Sequence, residues 1–250
     1  MTQASQVIFE EDGAVGVITI HRPPVNAISS DLRAQLSKVL TASLAREVSV
    51  LLIRGEGRGF SAGADTKEFA GRGGDPVRTA ESLSEGSRFW ETIYDVRVPV
   101  VAAMHGFAVG AGFMLSTLCD FRLASASCKI SLPEIAVGIS VGGGGAQLRR
   151  LGLREGFIRD LLMNGDVIDA GLALKEGLVD RVFPDESFDQ DAIEFCRHLA
   201  RHGRDALIAM KTALNITEVA ADWRSGLAQS RGLSVSFVDA HVKRLKGGAA

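Results

Sequence analysis

The order of patterns along this chain predicts an α/β fold with a helical extension at its C-terminal end. Three observations carry that expectation. Strand-like and helix-like runs alternate from Val7 to about Val182. Beyond Phe183-Pro184-Asp185 the strand-like runs stop and only helical periodicity remains. Two apolar, buried-looking runs, Val50–Arg54 and Val100–Met104, each lead into a turn rich in Gly and Ala. Alternating strands and helices pack helices against a largely parallel sheet. The expected division is a core over residues 1–184 and a helical region over 185–250.

In chain order, Val7–Phe9 and Val15–His21 read as two strands around the turn Asp12-Gly13, the second stopped by Arg22-Pro23-Pro24. Ser29 or Ser30 can cap a helix to about Leu44, whose apolar residues Leu32, Leu36, Val39, Leu40 and Leu44 recur at helical spacing. The strand at Val50 follows, then the first Gly/Ala turn. Gly71 to Pro76 reads as a loop. A helix from about Arg78 to Val96 precedes the strand at Val100 and the second turn. Phe121–Ala124 and Lys129–Ser131 read as strands, Pro133-Glu134 as the start of a loop, and Gly142 to Gly145 as a flexible loop. Short helices are expected at 146–151, 157–163 and 169–176, a last strand at Leu178–Val182, then helices at 188–201, 205–214 and about 218–246.

Composition excludes several classes. The 250 residues carry a net charge of −2, which leaves no basic stripe for nucleic acid. Apolar runs are broken well short of a membrane span. The start, Met1 to Gln6, is polar and lacks a signal-peptide layout. Cys119, Cys128 and Cys196 form no CxxC pattern, so reduced thiols in a cytoplasmic protein are expected.

The second turn reads His105-Gly-Phe-Ala-Val-Gly110-Ala111-Gly112-Phe-Met114. Glycine lets the backbone turn sharply and lets another molecule approach. A helix starting here would aim free N–H groups at whatever lies in front, so the Ala111 N–H is a candidate oxyanion donor. A tight, closely packed strand-to-helix turn explains the same residues. The first turn reads Phe60-Ser61-Ala62-Gly63-Ala64-Asp65-Thr66-Lys67-Glu68-Phe69.

Together the two turns resemble those of the crotonase (enoyl-CoA hydratase/isomerase) superfamily, a spiral of ββα units. The resemblance runs from His21-Arg22-Pro23 to the C-terminal helices. It implies an acyl-coenzyme A thioester as substrate, with no metal or redox cofactor. It also implies a homotrimer, or a dimer of trimers, formed through the helical region. Each turn would supply one N–H, from Ala62 and Ala111, to the oxygen of a thioester enolate. One such donor is worth about 3–4 kcal/mol of barrier. The family carries acid/base carboxylates at two positions, matched here by Met114 and, twenty residues on, Glu134. A thioether thus replaces one carboxylate. That pattern resembles the monofunctional Δ3,Δ2-enoyl-CoA isomerases, in which one carboxylate shuttles a proton between C2 and C4. Hydratase or thioester-hydrolase activity is the alternative. Beside Met114 and Phe113, Glu134 is expected to have a raised pKa.

The resemblance further implies that coenzyme A lies against Ala62 to Asp65, with Arg22, Lys67 and Lys246 as candidate phosphate partners. Gly110, Ala64, Met114 and Gly142 are candidate substrate contacts. Phe89, Trp90 and Phe113 are candidates for lining an acyl pocket or for core packing. The segment Ile139 to Gly142 holds no carboxylate, which disfavours dehalogenase-like, naphthoate-synthase-like and dienoyl-isomerase-like chemistry; Ser140 could hold a water. Asp65 and Asp120 also read as caps of turns or helices.

Rival readings are weaker. Gly59-Phe60-Ser61-Ala62-Gly63 matches a nucleophile elbow, with Asp180 and His198 in suitable chain order, but Gly55-Glu56-Gly57-Arg58 separates it from its strand. His198 and His202 have helical spacing for zinc but no third ligand or H-E-x-x-H pattern. A crotonase fold that has lost catalysis and serves only in assembly is opposed by Glu134 and both turns.

Overall fold

A computed structural model of the chain describes residues 6–71, 76–138, 140–141 and 143–215. The main sheet has six strands: β1 (Val7–Asp12), β2 (Val15–Ile20), β3 (Val50–Gly55), β4 (Val100–Met104), β6 (Phe121–Ser125) and β9 (Arg181–Phe183). They lie in that order. Only β1 and β2 pair antiparallel; every later neighbour is parallel. A second sheet joins β5 (Phe107–Val109), β7 (Lys129–Ser131) and β8 (Ile168–Asp169).

The central strand β4 is apolar along its length, and β2 and β3 nearly so, because both faces are covered. Alternate residues serve alternate faces. Ile18, Ile20, Leu51, Ile53, Val100, Ala102 and Met104 belong to the large core. Val15, Val17, Val50, Leu52, Val101 and Ala103 face a second core on the other side. Two helices supply much of the first cover: α1 (Ser30–Ser43) and α3 (Pro76–Tyr94). Ser29 caps α1, its Oγ accepting from Leu32 N, and Leu32, Leu36 and Leu40 form the buried stripe. Between these helices lies α2 (Thr66–Gly71), a short helix that the sequence pattern did not reveal.

The second turn opens α4 (Ala111–Thr117). Pro133–Val137 forms a 3-10 helix where a loop was expected, and α5 (Gly144–Arg150) begins inside the glycine run read as flexible. Then come α6 (Glu155–Met163), α7 (Ala170–Lys175), α8 (Phe188–Ala200) and α9 (Arg204–Asn215). Phe188, Ala192 and Cys196, four apart, lay α8 on the second core. Lys211 of α9 is buried; its ammonium donates to Val98 O at 3.1 Å and to Asp120 Oδ2 at 2.6 Å. Asp120 also accepts from Val100 N, so it joins the entries of β4 and β6.

The expected helix over 218–246, Lys246, Gly142 and most of the Gly71–Pro76 loop lie outside the described residues. No helix among the described residues is long and apolar enough to cross a membrane. The three cysteines are free and buried, and burial pushes each thiol up to about 12, so none is a reactive thiolate at neutral pH.

Candidate active site

The first turn is held on two sides. Toward the second sheet, Ser61 N donates to Phe107 O and Ser61 O accepts from Val109 N. Toward the segment after β2, Ala62 N donates to Val25 O, Ile28 N donates to Gly63 O, and Asp65 N donates to Ile28 O. These last two bonds make a parallel bridge between Ile28 and Ala64. In such a bridge the two bonds flank the opposing residue, whose own N–H points the other way. Ala64 therefore turns its N–H away from Ile28, and no acceptor takes it among the described residues.

This geometry corrects one sequence-based expectation. The Ala62 N–H, expected to face the substrate, is donated to Val25 O at 2.9 Å. The first turn's available donor is Ala64, two residues further on. On the second turn, Gly110 N donates to Ser131 O, while the Ala111 N–H has no acceptor among the described residues. The two turns touch: a Cβ at Gly63 would stand 2.8 Å from Val109 O and 3.5 Å from Ala111 N. A Cβ at Gly112 would stand 2.7 Å from both Ser61 O and Ser61 Oγ, so small residues are required where the turns meet.

Glu134, near the start of the 3-10 helix, reaches over Gly110. A Cβ at residue 110 would lie 2.8 Å from Glu134 Oε1. Gly110 has φ 52° and ψ −126°, a backbone form that glycine adopts without strain. Glu134 Oε2 is buried and unpaired among the described residues. Burial raises the Glu134 pKa above its ordinary 4.5, outweighing a bond from its own backbone. A desolvated carboxylate with no counter-ion among the described residues holds its charge at a cost and takes a proton readily.

Met114 lies one helical turn beyond Gly110, its N–H donating to Gly110 O. It packs partly buried against the large core, and its Sδ would lie 3.7 Å from a Cβ at Gly144. Phe113 and Phe89 are core residues, at 0% and 3% exposure. Trp90 stacks at a tilt on Phe89 and is only partly buried.

The charged residues separate by role. Arg22 is committed to structure: Nη2 donates to Asp65 Oδ2 at 2.6 Å and Nη1 to Ala27 O. Asp65 Oδ1 accepts from Lys67 N and so caps α2. Arg22 and Asp65 thus brace the first turn. Lys67 is exposed on α2. His105 meets Gly57 O at 2.9 Å at the strand end. The nucleophile-elbow reading is overturned. Ser61 is fully buried and its hydroxyl donates to Asn26 O, while Asp180 is paired with Arg122.

Asn26 was missed from sequence. It is buried, at φ 52°, and its amide donates to Glu56 O and Gly59 O while its Oδ1 accepts from Arg22 N. It brackets both ends of the loop leading to the first turn. The available signal was an Asn after Pro-Pro-Val, a type that tolerates left-handed turns.

Comparison with known proteins agrees with this architecture. The family described as enoyl-CoA hydratase/isomerase matches residues 10–249. The chain is 34% identical over 231 residues to the 2,3-dehydroadipyl-CoA hydratase of Escherichia coli, covering 92% of this chain and 89% of that one. It is 34% identical over 211 residues to a probable enoyl-CoA hydratase of Rhizobium meliloti, covering 84% and 80%. Among solved structures, subunit I of an enoyl-CoA hydratase from Geobacillus kaustophilus superposes with a TM-score of 0.79 at 30% identity, covering 92% and 89%. Strand order, paired turns and sequence likeness lead to one conclusion: the chain belongs to the enoyl-CoA hydratase/isomerase family and has the crotonase fold.

Proposed function

We propose that the protein binds an acyl-CoA thioester, stabilises its enolate, and moves a double bond between C3 and C2 as a Δ3,Δ2-enoyl-CoA isomerase. The observation that carries this reading is the Glu134 carboxylate over Gly110, one residue from Ala111, with Glu134 Oε2 buried and both it and the Ala111 N–H unpaired among the described residues. Glu134 takes a proton from C2 of a 3-enoyl thioester. The electron pair spreads onto the thioester oxygen, where the Ala64 and Ala111 N–H groups receive it. The same proton returns at C4 and leaves the 2-enoyl isomer. This proton transfer needs neither metal nor redox cofactor.

Met114 supports isomerisation over hydration, because it puts a thioether where a second carboxylate could activate water. Lys67, exposed beside the first turn, is the remaining candidate among the described residues for a coenzyme A phosphate. The family resemblance also favours a homotrimer or dimer of trimers, which sedimentation would read directly.

Hydration is the second reading, favoured by the relatives named as hydratases. Incubating 3-enoyl-CoA and 2-enoyl-CoA substrates separately, with NMR detection, tells the two apart. The expected result is conversion of the 3-enoyl to the 2-enoyl thioester, lowered at least ~10²-fold in Glu134→Gln. A 3-hydroxyacyl product from the 2-enoyl substrate, without double-bond migration, would establish hydration instead.

A further inference from the structure

We propose that Val141, folded back over Gly144 on a site that Met114 also borders, is a specificity-determining residue that selects an unsubstituted hydrocarbon acyl chain and limits its length. The inference deepens the acyl-CoA reading above and rests on it.

The turn before α4 and the first turn of that helix join the candidate base to this site. Gly110 lies under the Glu134 carboxylate, and Met114 follows one turn later. One turn is about 5.4 Å. An acyl chain whose thioester oxygen meets the Ala111 N–H, and whose C2 to C4 pass Glu134, reaches Met114 with its next carbons. There Met114 Sδ and Val141 Cγ1 converge on the place where a side chain at residue 144 would begin. A Cβ at 144 would lie in ordinary contact with Met114 Sδ, at 3.7 Å, but would overlap Val141, with Val141 Cβ at 2.9 Å. The missing side chain at Gly144 is the space that Val141 occupies.

Met114 and Val141 are partly buried, whereas their neighbours Phe113, Leu115 and Leu148 are sealed at 0% exposure. Two accessible apolar side chains beside a sealed core make a wall rather than a filling. A thioether and an isopropyl group offer no hydrogen bond. A hydroxyl or carboxylate on the adjoining acyl carbons would lose its water there without compensation.

The test is isothermal titration calorimetry with butanoyl-, hexanoyl-, octanoyl- and decanoyl-CoA on the full chain, which reads binding without chemistry. Val141→Ala should shift relative affinity toward the longer thioesters by ~10-fold or more, the scale of a methylene gained or lost in an apolar pocket. Gly144→Ala should shift it toward the shorter ones by a similar factor by driving Val141 outward. Gly144 has no positive φ that would strain the new alanine. The double variant Val141→Ala/Gly144→Ala should return toward wild type, which separates the steric effect from misfolding. Unchanged chain-length profiles in both folded single variants would overturn the inference. A wild type that binds no acyl-CoA would overturn it together with the proposed function. A shifted binding profile in a protein that moves no double bond would uphold Val141 and refute only the isomerase reading.

Discussion

The Glu134 carboxylate occupies the space that a side chain at Gly110 would need, with Oε1 2.8 Å from where a Cβ would stand. Carboxylate and turn are therefore fitted to one another, and residue 110 must be glycine on two independent grounds. Its φ of 52° disfavours a side chain, and its neighbour leaves no room for one.

Gly110→Ala is expected to push the carboxylate aside and twist the Ala111 N–H. A shift of about 1 Å at a reacting centre can cost ~10²-fold in rate. The expected outcome is a fall in kcat of that order with KM much less changed, in steady-state assays on a variant shown to be folded by circular dichroism. A fall confined to KM would contradict the fit.

Two carboxylates should give stability profiles of opposite sign. The raised Glu134 favours the protonated form in the folded state. Its contribution is intact below the ordinary value of 4.5 and is lost as pH rises through the folded value. Glu134→Gln should therefore melt higher than wild type at pH 8, with the difference vanishing below about pH 4. Burial also works to raise Asp65, but bonds from Arg22, Lys67 N and Glu68 N outweigh it and hold Asp65 below its ordinary 3.8. Its contribution is present above that value and is lost as pH falls through the depressed one. Asp65→Asn should melt lower at pH 7, with the deficit shrinking toward acid. Calorimetric melting across pH checks both. The raised pKa also predicts that kcat/KM rises with pH along a limb displaced above that of free glutamate.

Asn26→Ala removes the donor to Glu56 O and Gly59 O and the acceptor for Arg22 N, and places alanine at φ 52°. A buried polar group left unpaired costs about 1–3 kcal/mol. Asn26→Gly loses the same bonds but keeps an easy backbone, so it should be less destabilised by about 1 kcal/mol. Urea midpoints for the pair measure the difference. Equal losses would mean that the backbone at 26 carries no strain.

The architecture was legible wherever apolar spacing ran long enough to show a period. The stripe Leu32, Leu36, Leu40 gave α1, and the runs at Val50 and Val100 gave the parallel strands. The raised pKa of Glu134 was legible as a consequence of burial, expected from its place after Pro133 in a family pattern. The choice between Ala62 and Ala64 was not. Both are alanines beside Gly63, and which N–H is spent depends on bonds to Val25 and Ile28, more than thirty residues away. Short elements escaped for a related reason. α2 has six residues and β5 has three, too few for periodicity to emerge, and both are held by distant partners. The glycines at 144 and 145 suggested a flexible loop, yet they open α5, because the Gly144 N–H donates to Val141 O and Val141 packs on its bare Cα.

The ammonium of Lys211 completes a joint whose other parts lie more than ninety residues earlier. During synthesis, Asp120 leaves the ribosome long before its cation does. A nascent chain ending short of α9 holds that carboxylate at the base of β4 and β6 with no ammonium to meet it. The joint at the base of β4 and β6 therefore closes only once residue 211 is in place, so a protein clipped before it would lack the cation buried under the sheet.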